Sequence, residues 1–467
     1  MNREKELVKN TVVLALGRFL PKIVSLVTLP IVTAKLSKAE YGNYDLILTL
    51  SMLLLPIATL QIQSAAFRYL IQWRNDKKES SKIITNIISV TITVTLLVAL
   101  IFVIFMSNLD IILRLAIVAY FFGDIMFNTV SQIARGLGRN RIYSISAILL
   151  SVVNGIGVVS LVQILQLRLV GVLVSLALAN IAAIIYMSCE LKIWQYMDYA
   201  LLDKGKVLTM VKYSWPMIPN NLSTWVLKLS DRLVIRYFIG AQANAEYAVA
   251  NKIPNLLSIA QSVFVMAWQE NAAVAVDDKD VETYYTNMFD KIFSLMVGLT
   301  GLLIAGTPLM FMVLIRGDYD NAYIQMPILI LGMFFYCMSA FQGGIYIAHM
   351  ETKSVGMTTV VAAIVNLVID LLLVNVIGIT AGSLSSLVAY LVLYLYRMHD
   401  VKRIQPIRYN IKKQIILILS MIIMLYICSL RTLYTDIINA VIAIILFAVV
   451  NRKLIVEFFS KLKNKVK

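Results

Sequence analysis

Apolar runs of about 20 residues recur along this chain from end to end, and they decide its fold class before any motif is read. A segment that enters hydrocarbon must satisfy its backbone N–H and C=O groups internally, which leaves only helices and closed barrels. Runs of about 20 residues match a membrane-crossing helix and are roughly twice the length of a barrel strand. Fourteen follow one another, at about 11–34, 43–66, 83–106, 109–133, 143–166, 169–189, 214–239, 243–268, 288–314, 322–348, 355–376, 379–397, 412–430 and 433–451. The expected fold is an all-α polytopic membrane protein. With 60% hydrophobic residues among 467, the composition is not that of a soluble domain. The basic stub MNREKELVKN precedes the first run, and no small-residue cleavage site follows it. That run is read as a retained helix rather than a signal peptide.

The formal net charge of +16 would suggest nucleic acid on a soluble chain. Its placement argues otherwise. If both ends of a fourteen-helix chain lie on one side, 30 of the 42 Lys and Arg residues fall in segments on that side and six on the other. Such an excess marks the cytoplasmic face, so both termini are expected in the cytoplasm. No nucleic-acid partner is expected. The remaining six cations fall within spans: Arg18, Lys22, Lys228, Arg232, Arg236 and Lys252. The three cysteines, Cys189, Cys337 and Cys428, sit in separate apolar runs and form no disulfide framework or metal spacing. No cofactor or metal is implied, and His349 and His399 carry no partner motif.

A weak internal duplication organises the spans. KAEYGNYDLI at 38–47 resembles NAEYAVANKI at 244–253, and VVNGIGVV at 152–159 resembles IVNLVIDL at 364–371. Gly171 and Gly382 open the sixth and twelfth spans. The offsets are nearly constant, and each match falls at the same point of a six-span block. The reading is an N-terminal six-helix bundle at 1–200, a second at 201–405, and two further helices with a basic cytoplasmic tail at 406–467. Six helices return the chain to its starting side, so the repeats are parallel, related by an axis along the membrane normal. That arrangement would enclose a central cavity whose access alternates as the halves rock. The connecting stretch, about 190–212, is amphipathic and reads as a cytoplasmic surface helix.

The seventh span, NNLSTWVLKLSDRLVIRYFIG at 220–240, raises the functional question. Lys228, Arg232 and Arg236 recur every four residues and share one helical face. Each charge at the bilayer centre costs roughly 2.5–3.5 kcal/mol on insertion scales. One explanation is pairing with buried acids. Asp231 lies three residues from Lys228, and Asp45, Asp124 and Asp370 are further membrane acids. The other is a cavity with surplus positive charge for an anionic cargo. Aligned on the Ala-Glu-Tyr triplets, Asp231 and Arg232 face Ser25 and Leu26, so the charges do not follow the repeat. That asymmetry favours function. Phosphate suits Arg and Lys donors, and Asn220, Asn221, Ser223, Thr224 and Asn43 suit hydroxyl-rich sugar. No GxxxxGK[ST] phosphate loop occurs, so ATP hydrolysis is not expected. Outer loops are short and hold no paired-carboxylate or His-Asp arrangement, so the chain is not read as an enzyme.

The segment SDRLVIRYFIGAQANAEYAVANKI at 230–253 and the start LGRFLPKIVSLVTLPIVTAKLSKAEYGNYDL at 16–46 resemble the bacterial polysaccharide flippases of the Wzx type. These belong to the multidrug/oligosaccharidyl-lipid/polysaccharide (MOP) superfamily. The resemblance covers nearly the whole chain and implies a MATE-like pair of bundles related by a pseudo-twofold. It implies export of undecaprenyl-diphosphate-linked oligosaccharide repeat units across a bacterial cytoplasmic membrane. Capsule, O-antigen or exopolysaccharide assembly would follow outside, with a polysaccharide polymerase complex as partner. Asp231, Arg232 and Lys252 fall on the matching motif; Arg18 and Lys22 lie where related lipid flippases carry basic residues. Asp45, Asp124, Asp231 and Asp370 are the candidates for binding a coupling H+ or Na+, or for pairing with the cations. Ala248 stands where many relatives have glycine beside the tyrosine. A lipid II-type peptidoglycan precursor flippase shares the chemistry, and a MATE-type multidrug cation antiporter shares the fold.

Overall fold

A computed structural model describes residues 21, 23–452 and 454–456. All regular structure among them is helical. The chain divides into two compact units, residues 1–225 and 226–467. Eleven helices among the described residues are long and apolar enough to cross a membrane.

In the first unit, α1 (Ile23–Lys35) leads into α2 (Lys38–Ala58). Ser37 and Glu40 form a capping box that starts α2: Glu40 N–H donates to Ser37 Oγ at 3.2 Å, and Ser37 N–H to Glu40 Oε2 at 2.8 Å. The expected continuous span at 43–66 is instead broken between α2 and α3 (Ile62–Trp73). Leu60 and Gln61 adopt left-handed conformations, with φ of 49° and 55°. A buried hydrogen bond from Thr59 Oγ1 to Gln63 Oε1, 2.8 Å, steadies the turn. Then follow α4 (Lys77–Phe105), α5 (Ile111–Gly136), α6 (Asn140–Gly157, continued as a π-helix to Ile164) and α7 (Arg168–Leu191). Asp76 and Asp110 cap α4 and α5 by accepting from first-turn N–H groups. α5 lies against α3 and α7, and α7 also against α6. Small residues permit this approach: a Cβ on Gly136 would stand 2.8 Å from Leu70 Cβ, and one on Gly157 2.9 Å from Ser175.

The stretch after α7 folds back on α4. Two short 3₁₀ turns, Ile193–Gln195 and Tyr199–Leu201, precede α8 (Lys204–Ser214). Thr85 and Asn86 of α4 reach the backbone of these turns. Thr85 Oγ1 donates to Tyr196 O at 3.0 Å and accepts from Asp198 N–H at 3.0 Å. Asn86 donates to Leu201 O at 2.9 Å and accepts from Asp203 N–H at 2.9 Å. Lys82–Asp203 and Lys206–Glu79 ion pairs, 2.6 and 3.0 Å, flank them. Ser214 Oγ donates to Leu60 O at 2.8 Å, so α8 also ties down the α2–α3 break. The connecting stretch is thus clasped by the first unit.

α9 (Met217–Phe238) runs from the first unit into the second. The second unit continues with α10 (Ala241–Ala250), α11 (Pro254–Val274), α12 (Val281–Leu314), α13 (Asp320–Ala348), α14 (Thr352–Ile377), α15 (Thr380–Ile404), α16 (Ile411–Ser429) and α17 (Leu433–Val450). The expected span at 243–268 is broken at 251–253, where Pro254 occupies the first turn of α11. The fourteen expected runs exceed the eleven long apolar helices among the described residues by three, those of α1, α9 and this broken segment. α13 is the hub: it packs on α10, α11, α12, α14, α15 and α16 and is buried over most of its length. Around it lies an aromatic core. Trp268 stacks on Phe341 at 4.3 Å between ring centroids and donates Nε1–H to Phe341 O at 2.9 Å. Its rings contribute apolar burial beyond what aliphatic side chains of similar length would give.

Candidate functional site

α9 carries two opposed chemistries, one residue apart. Four-residue spacing sets Lys228, Arg232 and Arg236 along one side; Lys228 is exposed and the two arginines are half-buried. Asp231 is turned about 100° from Arg232 and points into the second unit, where it is 1% exposed. The Lys228 ammonium lies 4.5 Å from the centroid of the Tyr336 ring on α13, and Tyr336 packs on Tyr390 of α15. Lys228 and Asp231 therefore do not form the intrahelical pair that their spacing permits. Lys252, half-buried, sits in the turn between α10 and α11. Arg18 and Lys22 lie outside the described residues.

Asp231 enters a buried polar nest assembled from α9, α10, α14 and α15. Its Oδ2 accepts from Tyr247 Oη at 2.5 Å and from Ser386 Oγ at 2.7 Å. Tyr247 also approaches Gly382 O, 3.2 Å away. Ser230 donates to Asn366 Oδ1 at 3.1 Å, and Asn366 Nδ2 reaches Ser385 Oγ at 3.4 Å. Asp370 lies one turn beyond Asn366 on α14, is fully buried, and is close enough to feel the charge of Asp231. Among the described residues, neither Asp370 oxygen has a hydrogen-bond partner, and Asp231 Oδ1 has none. Gly382 is required for this closeness. A Cβ there would stand 2.9 Å from Ile235 Cδ1 and 3.1 Å from the Tyr247 ring.

This nest offers oxygen ligands only. Two carboxylates, a serine hydroxyl, an amide oxygen and a carbonyl suit a hard cation, and a buried carboxylate without hydrogen bonds otherwise takes up a proton. No cluster of three or more His, Cys, Asp or Glu side chains occurs among the described residues, so no transition-metal site is built. The other two candidate acids belong to the first unit. Asp45 is buried on α2. Asp124 on α5 accepts from Ser51 Oγ at 2.8 Å and from Asn128 Nδ2 at 3.3 Å.

Several nest residues stand out in the sequence for a different reason. Asn366 and Gly382 mark the internal repeat, and Tyr247 belongs to the Ala-Glu-Tyr triplet. The signal they offer in sequence is the pairing of Asn366 with Asp370 four residues on, within the apolar run 360–374 of α14. Arg397 is the reverse case. The last residue of the expected span at 379–397, it is buried on α15. It donates to Ser339 O at 2.8 Å, Thr358 Oγ1 at 3.0 Å, Thr359 Oγ1 at 3.1 Å and Val355 O at 3.2 Å. Fully engaged by neutral acceptors, it joins α13, α14 and α15.

The lipid II flippase MurJ, in an inward-closed conformation, matches with a TM-score of 0.72 at 14% identity, over 95% of this chain and all of that one. An inward-facing multidrug MATE transporter matches at 0.69 and 13% identity, over 82% of this chain and 95% of that one. A MOP-superfamily transporter from Pyrococcus furiosus, described as having a binding pocket of reversed polarity, matches at 0.58 and 13%, over 85% and 95%. At such identities the likeness establishes the fold alone, which this chain shares with MurJ and the MATE transporters. The profile of the polysaccharide biosynthesis protein family matches residues 7–269, more than half the chain, and the chain belongs to that family. No curated protein matches it.

Proposed function

We propose that the protein is a flippase for undecaprenyl-diphosphate-linked oligosaccharide repeat units. It moves them by alternating access across the cytoplasmic membrane for capsule, O-antigen or exopolysaccharide assembly. The observation that carries this reading is α9 itself, a helix with Lys228, Arg232 and Arg236 on one face, Lys228 exposed and the two arginines half-buried. These three, with Arg18, Lys22 and Lys252, hold the diphosphate and adjacent sugars; the lipid tail stays in the bilayer. The Asp231–Asp370 nest takes the coupling H+ or Na+, and Asp45 and Asp124 are its counterparts in the first unit. The termini face the cytoplasm. The bundles are 1–200 and 201–405, with 406–467 appended, and a polymerase complex receives the product. A lipid II-type cargo is the second reading, favoured by the full-length likeness to MurJ.

The test is export in cells carrying Arg232→Ala and, separately, Arg232→Lys. Surface polysaccharide should fall at least tenfold with Ala while the protein stays abundant and lipid-linked units accumulate inside. Partial recovery with Lys assigns the effect to charge. Normal export with Ala removes Arg232 from the cargo site.

A further inference from the structure

α8 packs one side in the first unit, and the stripe adjoining that side is only partly covered by the described residues. Met210 and Ser214 are fully buried. Lys204, Val207, Leu208 and Val211, at i, i+3, i+4 and i+7, form the second stripe. With Asn86 and Val90 of α4 and Leu202, that stripe lines a groove of about 510 Å³, within the range of small-ligand sites, roughly 300–1,000 Å³.

The groove changes character along α4. Lys82, Asn86 and Val90 stand one turn apart, covering about 12 Å at roughly 1.5 Å per residue. At the Lys82 level the Lys82–Asp203 ion pair is neutral overall, which leaves Lys204 as the net charge at the mouth. At the Val90 level the walls are Val207, Leu208 and Val211. α4 is long and apolar enough to span a membrane. A slot that is cationic at its polar end and aliphatic further along such a helix matches a lipid. Its surroundings agree. Lys192, Lys204 and Lys212 are exposed and have no acidic partner among the described residues, and Trp194, Tyr199 and Trp215 are exposed in the same stretch of chain. Lysines and aromatic rings together in one connecting stretch are the composition of a membrane interface.

We propose that the α4–α8 groove binds an anionic glycerophospholipid of the cytoplasmic leaflet, with one acyl chain between Val90 and the Val207–Val211 stripe and the headgroup phosphate at Lys204. Bound there, the lipid completes the clasp on α4 and holds α8 in register.

Native mass spectrometry of the full-length protein, exposed to equal amounts of phosphatidylglycerol and phosphatidylcholine, tests this. Wild-type protein should retain phosphatidylglycerol at least fivefold over phosphatidylcholine. Lys204→Glu, on an exposed position, should bring that ratio near one without lowering total lipid. Val207→Trp, which fills the groove, should lower retained lipid at least fivefold. Retention like that of the wild type in both variants overturns the proposal. A second measurement does not depend on the Trp variant folding. A fluorophore on Leu208→Cys, in a Cys189→Ser background, should be quenched by doxyl-labelled phosphatidylglycerol at least twice as strongly as by the labelled phosphatidylcholine. Equal or absent quenching overturns it as well.

Discussion

Arg232 and Arg397 are both drawn into membrane-spanning helices, and what each one faces separates their roles. Arg397 is engaged by four neutral acceptors in the second unit. A hydrogen bond to a charged group contributes about 1.5–3 kcal/mol, and lysine lacks the fork that spans three helices. Arg397→Met and Arg397→Lys should therefore both lower the unfolding temperature in detergent, by at least about 2 kcal/mol in stability. Arg232→Ala should lower that temperature less than either Arg397 variant. Glycine positions make a similarly local prediction. A Cβ on Gly344 would stand 2.5 Å from the buried Trp268 ring, and overpacking of this kind costs about 1–3 kcal/mol. Gly344→Ala should destabilise the second unit, read as loss of cooperative unfolding in a tryptophan-fluorescence melt. The residue scale is also where the sequence is least legible. The α9 stripe can be read from spacing alone. The nest around Asp231 cannot, because Tyr247, Asn366, Gly382 and Ser386 come from three other helices.

At the scale of elements, hydropathy locates the helices but not their interruptions. The break at 251–253 has a local cause in Pro254. The break after Ala58 does not: Pro56 lies inside α2, and the turn is held by Gln63 and by Ser214 from the far end of the unit. Its cause is tertiary and so is absent from any window of sequence. The α8 clasp is of the same kind. Asn86→Ala removes two hydrogen bonds to the connecting backbone, each contributing about 0.5–1.5 kcal/mol. At about 1.4 kcal/mol per tenfold, hydrogen exchange across 196–206 should speed up by roughly five- to 150-fold. The clasp should also resist acid. The Lys82 side chain, and then the backbone N–H groups of Lys206 and Gly205, hold the Asp203 carboxyl below its usual range. A carboxylate with a lowered folded pKa contributes its stability above the unfolded value, near 4, and loses it as pH falls through the folded one. Exchange in 196–206, corrected for intrinsic rates, should be flat from pH 8 to 5 and rise only below about pH 4. A rise near pH 6 would locate the controlling group elsewhere.

At the scale of the molecule, the fold class is legible because a membrane imposes it, and the family because its motifs are local. Ion coupling is a property of the whole. On the reading proposed above, Asp370→Asn removes an unpartnered buried carboxyl and leaves a group of nearly the same shape. Thermal stability should stay level or rise while export is lost and no longer responds to sodium or pH. A loss of stability together with export would mark Asp370 as a packing residue. The clasp bears on synthesis as well. Asp203 lies 117 residues after the Asn86 side chain that receives it. At roughly 5–20 residues per second, α4 waits on the ribosome's timescale, about 6–23 seconds, with Thr85 and Asn86 unmet. When the clasp closes, the first unit is finished before most of the second has been translated. A gene split just after the codon for Trp225 should therefore yield an N-terminal fragment that inserts, folds and escapes quality control by itself.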